Sequence, residues 1–177
     1  LPNKRGAHFL KNYLAKTYQQ TIWLPTIISA EDLITELSGL QNLEDVELIC
    51  SLYESYLEIY KDNPENFESF AKWGHLILQD FNEIDRYLAD GVSLYSNLKD
   101  IKEIENWSLS QEELSDFQKN YINFMGKLGA IYTHYSTKLL KQGKSYQGLS
   151  YRCAVKNFES SEYLKKYHRF LFCGFNA

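Results

Sequence analysis

The stretch Leu43–Lys61, LEDVELICSLYESYLEIYK, carries the clearest structural signal of the 177-residue chain. Its apolar and aromatic residues recur with a period close to 3.6, and they are Leu48, Ile49, Leu52, Tyr53, Tyr56, Leu57 and Tyr60. This period predicts an amphipathic α-helix that buries one face against a core. The stretch therefore indicates a fold in which helices supply most of the core.

Helical periodicity continues on both sides of this stretch. Residues 5–17 and 148–158 predict shorter helices, and residues 110–143 predict a long one. Another long helix is predicted over residues 63–90, with Pro64 in its first turn, where the missing N–H costs nothing. A short helical piece is expected to follow this helix.

Capping signals fix the expected ends of two helices. Ser29, followed by Asp32, is a capping box that starts a short helix, and Gly39 is a typical left-handed residue at its end. Ser110 with Glu113 is a second capping box, which predicts where the longest helix begins.

Strand-like segments lie near the two ends of the chain. Residues 21–28 and 168–175 are rich in β-branched, aromatic or apolar residues. The order predicts a mainly α fold with a small parallel β element. We expect a partial α/β element over 1–38, a helical insertion subdomain over 39–160 and a returning strand within 161–177.

The chain is expected to be part of a longer protein. It closes on an apolar strand-like run, and such a run is an aggregation hazard when it is a free terminus. No apolar run approaches the roughly 20 residues of a spanning helix, so no membrane association is expected. Cys50, Cys153 and Cys173 are widely spaced, which favours buried reduced thiols over disulfides or a metal site. A reducing compartment follows, and we expect the cytoplasm.

The net charge of −4 is unevenly distributed along the chain. Residues 1–29 carry four bases and no acid, residues 30–118 carry 5 bases and 21 acids, and residues 119–169 carry 10 bases and 2 acids. The respective charges of +4, −16 and +8 sum to −4. Two basic segments that met in space would form a surface suited to a polyanion, although chance segregation of charge along helices explains the pattern equally well.

Several catalytic motifs are absent or incomplete. Residues 142–145, QGKS, resemble the end of a phosphate-binding loop, but the required first glycine is replaced by Lys138 and the segment follows a helix. The acidic residues Asp80, Glu83, Asp85 and Asp90 are interpreted as the solvated face of a helix. The four histidines are dispersed, so we expect no complete catalytic site, and the aromatic residues are attributed mostly to the core.

The opening residues 1–7, LPNKRGA, combine polar and basic groups with the start of a helix. A helix N-terminus presents backbone amides and positive charge together, which suits a phosphate contact. An ordinary strand-to-helix turn is the alternative interpretation.

This opening segment resembles the single-strand-contacting T-N-K-A-A motif of superfamily I helicases. Three later stretches resemble, in the correct order, other parts of AddB-type helicase–nuclease proteins. Residues 25–33 resemble the next strand and its serine-bearing DNA-contact turn, residues 73–88 a helix of the helical insertion, and residues 146–152 a later part of that region. The final residues 170–177 stand where helicases carry the Mg²⁺-binding acidic pair, but here Cys173-Gly174 takes that place.

The resemblance implies a fragment of an α/β RecA-like helicase domain with a large helical insertion, from a protein that repairs double-strand breaks by helicase and exonuclease activity. It implies single-stranded or duplex-end DNA and an AddA-type subunit as partners. ATP and Mg²⁺ would be cofactors of the longer protein, with none held by this chain. The expected nucleic-acid-binding residues are Asn3, Lys4, Arg5, Ser29, Lys138, Lys141, Lys144 and Arg152.

Two other functions stay open from the sequence alone. The acidic helical block of residues 30–118 could form a protein–protein interaction module without nucleic-acid binding. A standalone enzyme of unrecognised class is the third alternative.

Overall fold

The computed structural model describes residues 1–18, 20–61, 63–98, 100 and 116–175. Within these residues the chain is mainly helical, and its β-structure is one two-stranded parallel sheet. The predicted fold class, mainly α with a small parallel β element, is therefore confirmed. The chain divides into two compact units, unit 1 (Leu1–Gly39 and Cys153–Ala177) and unit 2 (Leu40–Arg152).

Unit 2 is built from amphipathic helices around an aromatic core. Its helices are α3 (Asp45–Ile59), α4 (Phe67–Arg86), α5 (residues 91–98), α6 (Asp116–Lys141) and the first part of α7 (Gln147–Asn157). Helix α3 packs against both α4 and α6. The fully buried core side chains include Leu52, Phe70, Phe81, Tyr135 and Leu139. The periodic stretch that predicts α3 therefore supplies one wall of this core.

The parallel sheet joins the two ends of unit 2. Strand β1 (Gln41–Asn42) pairs with β2 (Lys144–Ser145), with Gln41 opposite Lys144 and Asn42 opposite Ser145. Gly143, whose φ is +68°, follows α6 in the left-handed conformation and directs the chain into β2. The sheet thus lies inside the predicted helical insertion, whereas the sequence placed the β element near the chain ends.

Unit 1 contains α1 (Lys4–Thr17), α2 (Ala30–Ser38), the end of α7 and α8 (Glu162–Lys165). Helix α2 starts after the cap residue Ser29 and ends at Gly39, whose φ is +68°. Both predicted ends of this helix are confirmed.

The two predicted terminal strands are wrong. Residues 21–28 and 168–175 are extended or irregular, and neither run joins a strand ladder within the described part of the chain. Pro25 removes one ladder donor from the first run. The backbone of Leu1 lies beside that run, donating to Ile28 O at 3.0 Å and accepting from Ala30 N at 2.7 Å, but these two bonds do not extend into a ladder.

Helix α4 begins four residues after the predicted start at residue 63 and ends four residues before the predicted end at residue 90. The Asn66 side chain caps it by accepting from Ser69 N at 2.9 Å, and this strong cap outweighs the preference of Pro64 for a first turn. The helix ends at Arg86, just before Leu88 adopts a φ of +57°. The predicted capping box at Ser110 lies outside the described residues.

The cysteine prediction is also corrected. Cys50 and Cys173 are exposed and Cys153 is half-buried. Cys50 follows the buried Ile49 on α3, and one helical step of about 100° carries it away from the core. Among the described residues, no helix has the combined length and apolarity that a membrane crossing requires.

Candidate functional site

The opening basic residues lie in the first turn of α1. Asn3 is the N-cap residue, and its Oδ1 accepts a hydrogen bond from Gly6 N at 3.0 Å. Lys4 and Arg5 follow it, both exposed, and the first turn holds no acidic residue. The partial positive charge of a helix N-terminus adds to the charge of these two side chains.

Asp32 connects this turn to the start of α2. The Ser29 hydroxyl donates to Asp32 Oδ2 at 2.8 Å and accepts from Asp32 N at 3.1 Å, while Lys4 Nζ lies 3.1 Å from Asp32 Oδ1. Two hydrogen bonds to the Asp32 carboxylate lower its pKa below the ordinary value. The bond from Ser29 has the larger effect and the bond from Lys4 the smaller one. Ser29 is buried and serves the helix cap, so a phosphate contact by its hydroxyl would require that cap to open.

The predicted lysines of unit 2 differ in their surroundings. Lys138 is held by acids of α3, with its Nζ 2.7 Å from Glu54 Oε2 and 3.8 Å from Glu58 Oε1. Lys141 is exposed in the last turn of α6, and Lys144 is half-buried in β2. Of these three lysines, Lys138 therefore has its charge largely balanced within the unit.

Arg152 holds the end of α4 in place. Its Nε donates to Asp85 Oδ1 at 2.5 Å, and its Nη2 donates to the carbonyl oxygens of Ile84 at 3.0 Å and Ala89 at 2.5 Å. The guanidinium fork thus satisfies carbonyl groups near the helix C-terminus as well as a carboxylate. This internal role was not apparent from the position of Arg152 in a basic segment.

Asp85 is the centre of a buried polar cluster, the Asp85 cluster, which consists of Asp85, Tyr132, Tyr146 and Arg152. Tyr132 Oη donates to Asp85 Oδ1 at 2.5 Å, and Tyr146 Oη donates to Asp85 Oδ2. Burial is the main cause that raises the pKa of both tyrosines, and the neighbouring Asp85 carboxylate raises it further. Both phenols therefore stay protonated at neutral pH and act as hydrogen-bond donors.

The prediction that Asp85 lies on a solvated face is wrong, because the residue has no exposed surface. Asp85 follows Phe81 by four residues and Ile84 by one, and all three are buried on α4. That i, i+4 relation to an apolar core residue was the signal available in the sequence. The other three acids of this group, Asp80, Glu83 and Asp90, are exposed, as predicted.

A second set of polar contacts fixes the start of α7. Ser150 Oγ donates to Asn42 Oδ1 at 2.7 Å, and Ser145 Oγ lies 2.6 Å from Ser150 Oγ. Gly148 N donates to Asn82 Oδ1 at 2.7 Å. The segment QGKS directly follows α6: Gln142 and Gly143 form a turn, and Lys144 and Ser145 form β2. The hydroxyl of Ser145 is used inside unit 2.

Unit 1 contains a cavity of about 580 Å³ with a mainly apolar lining. Side chains from the start of the chain, α2 and the final described residues surround it, including Leu10, Ile28, Leu33, Tyr167 and Phe172. Arg169 is the charged residue of the lining.

In the described part of the chain, no three His, Cys, Asp or Glu side chains lie close enough together to bind a metal ion. The described geometry therefore contains two elements of interest, a basic exposed helix in unit 1 and a buried ionic cluster in unit 2. The first can contact an anion, whereas the second has its charges satisfied internally.

Comparison of the chain with protein-family models found no match, and comparison with curated proteins and with solved structures gave no significant match. The resemblance to AddB-type proteins thus rests on the sequence motifs alone.

Proposed function

We propose that this chain is a DNA-handling part of an AddB-like protein that acts in double-strand-break repair and recombination. Its role is to hold single-stranded or duplex-end DNA. ATP, Mg²⁺ and an AddA-type subunit belong to the same proposal and concern the longer protein. The order of the sequence motifs is the basis for naming this class of protein.

One observation carries the DNA-binding part of the proposal. Lys4 and Arg5 are exposed in the first turn of α1, within a 29-residue segment that contains four bases and no acid. Helix N-termini and basic side chains are the groups that most often position a nucleic-acid backbone. Such contacts are independent of sequence, which suits a protein that handles broken DNA ends.

The remaining predicted residues support the proposal unequally. Lys141 and Lys144 can add a general electrostatic attraction. Lys138 and Arg152 contribute less, because their charges are already paired with Glu54 and Asp85. The binding site is accordingly proposed around Arg5, which has no ion-pair partner among the described residues, and Lys4, whose side chain stays exposed although it pairs with Asp32. Asn3 fixes the turn that presents both side chains.

A protein–protein interaction module is the second candidate. Unit 2 is a compact unit with exposed acids on α3 and α4, among them Glu47, Glu68 and Glu83. A basic partner surface would complement these carboxylates. Co-purification of a partner that is lost when these three residues are changed to lysine, with no measurable DNA affinity, would favour this function.

The test is binding of a fluorescein-labelled oligothymidine to the purified chain, followed by anisotropy across a series of salt concentrations. Lys4→Ala combined with Arg5→Ala is expected to weaken binding. A plot of the logarithm of the association constant against the logarithm of the salt concentration has a negative slope. Loss of two phosphate contacts should make this slope less steep by about 1.4, which is 0.7 for each contact on a single strand.

Lys61→Ala combined with Lys72→Ala is the matched control, because it removes the same charge from exposed positions of unit 2. Circular dichroism of each variant checks that the helices persist, which matters because Lys4 also pairs with Asp32. Equal loss of affinity in both double variants would show general electrostatics without a site at α1. Unchanged affinity in the Lys4/Arg5 variant would reject the assigned residues.

A further inference from the structure

Helix α1 presents aromatic side chains to solvent along its outer face. Within α1, which the structure describes in full, no residue is buried. Leu10 and Leu14 are half-buried, whereas the side chains of Phe9 and Tyr13 are 75% and 68% exposed. Two large rings therefore remain in water on a helix that has an apolar side of its own.

These rings belong to one continuous row. Arg5, Phe9 and Tyr13 follow one another at intervals of four residues, and Lys16 follows Tyr13 by three. Residues at these intervals are neighbours on a helix surface, with Cβ atoms about 5–6 Å apart. The row runs for about 16 Å along the helix, with a cation at each end and two aromatic rings between them.

We infer that this row, Arg5–Phe9–Tyr13–Lys16, is a stacking platform for unpaired bases of a single-stranded nucleic acid. The inference rests on the proposed DNA-handling function. It adds to that function the side chains that contact the bases, and a preference for single-stranded over duplex nucleic acid. Aromatic rings flanked by positive charges are the combination that binds single strands without regard to sequence, since every base has a π-face.

Charge complementarity favours a nucleic acid over a protein as the occupant. The row carries two cations, the same helix adds Lys4 and Lys11, and residues 1–29 contribute no carboxylate to balance them. Asp32, the acid that contacts this helix, pairs with Lys4 and not with a member of the row. A polyanion with flat bases matches both the charge and the rings.

Single-strandedness follows from the same geometry. In a duplex the bases are stacked on one another and paired, so their faces are not available to a surface helix. A single strand can place its phosphates near Arg5 and Lys16 while bases lie on Phe9 and Tyr13. The platform should therefore prefer single strands to a duplex of the same length.

The experiment compares the full chain with Phe9→Ala/Tyr13→Ala for binding to a labelled 12-nucleotide oligothymidine and to a duplex of equal length. Loss of one base–aromatic stack on alanine substitution weakens binding by about 5- to 150-fold. The double variant, which loses two rings, should therefore lose at least about 30-fold in affinity for the single strand. Its salt slope should stay unchanged, because no phosphate contact is removed.

Two further variants separate stacking from other contributions. Phe9→Leu/Tyr13→Leu retains apolar surface without a π-system and should lose affinity, whereas Phe9→Tyr/Tyr13→Phe keeps both rings and should bind as the original chain does. Tyr87→Ala/Phe158→Ala removes two exposed rings outside α1 and serves as the matched control, with no change expected.

The outcomes distinguish this inference from the proposed function. If Lys4→Ala/Arg5→Ala weakens binding but Phe9→Ala/Tyr13→Ala does not, the platform is rejected and DNA binding at α1 stands. If the leucine variant binds as tightly as the original chain, the contact is apolar and stacking is rejected. If the alanine variant alters only self-association, as measured by light scattering, the row is a protein contact. If the original chain binds no oligonucleotide, both proposals fail.

Discussion

Replacement of Arg152 by alanine should be among the most destabilising single changes in unit 2. The change leaves the Asp85 carboxylate with no exposed surface and no cation, held only by the phenols of Tyr132 and Tyr146. Removing one partner of a buried ion pair costs about 3–5 kcal/mol, because the other charge stays buried. The two phenol donors offset part of this penalty, so we expect a loss near 3 kcal/mol in the free energy of unfolding.

Urea unfolding followed by Trp73 fluorescence measures this loss within unit 2. The Trp73 ring packs against Phe70 and Phe124, with centroids at 4.6 and 4.9 Å, so its emission reports on that core. A background with Trp23→Phe and Trp107→Phe leaves Trp73 as the remaining one of the three tryptophans. With a slope of about 1–3 kcal/mol per molar urea, the midpoint should fall by about 1–3 M.

Arg86→Ala is the control for the loss of an arginine as such. Arg86 is half-exposed and its Nη1 lies 3.7 Å from Glu83 Oε1, so the change should cost no more than about 0.5–1 kcal/mol. A double-mutant cycle with Asp85→Asn and Arg152→Ala should give a coupling energy of at least about 1 kcal/mol. A loss below about 1 kcal/mol for Arg152→Ala would refute the assigned role of the Asp85 cluster.

Two further perturbations test local geometry. Gly148→Ala should destabilise unit 2 by about 1–3 kcal/mol, because the new Cβ would lie 2.1 Å from the backbone oxygen of Asn82; an unchanged midpoint in the same urea assay would contradict this packing. Ser29→Ala should raise the pKa of Asp32 toward its ordinary value of 3.8, as followed by an NMR titration of the carboxyl carbon. Because the folded-state pKa of Asp32 is lowered, its contribution to stability is present at neutral pH and is lost as the pH falls below 3.8, and this acid-side loss should shrink in the variant. An Asp32 titration that is the same in both proteins would contradict the assigned hydrogen bond.

Helix positions were predictable because their signals are local. The repeat that includes Leu48, Leu52 and Tyr56 predicts α3, and all three side chains are buried. Ser29 and Gly39 mark the ends of α2 through cap chemistry that involves only neighbouring residues. Such features depend on spacing along the chain, which the sequence displays directly.

Strand formation was less predictable because a ladder needs a partner that is distant in sequence. The short segments Gln41–Asn42 and Lys144–Ser145 pair across about 100 residues, and neither has the β-branched content typical of a strand. Residues 21–28 have that content, yet they join no ladder in the described part of the chain. Pairing depends on tertiary neighbours more than on composition.

Charge counts along the sequence overstate the basic character of residues 119–169, which carry 10 bases and 2 acids. Lys138 pairs with Glu54, and Arg152 pairs with Asp85, so acids from the negative block neutralise cations of the positive one. Helix α1 differs, because Asp32 contacts one of its cations while Arg5 and Lys16 flank exposed rings. A nucleic-acid surface is therefore better assigned from cations such as Arg5 and Lys16, which form no ion pair with the described residues, than from the densest basic run, and this reasoning places the candidate interface on α1.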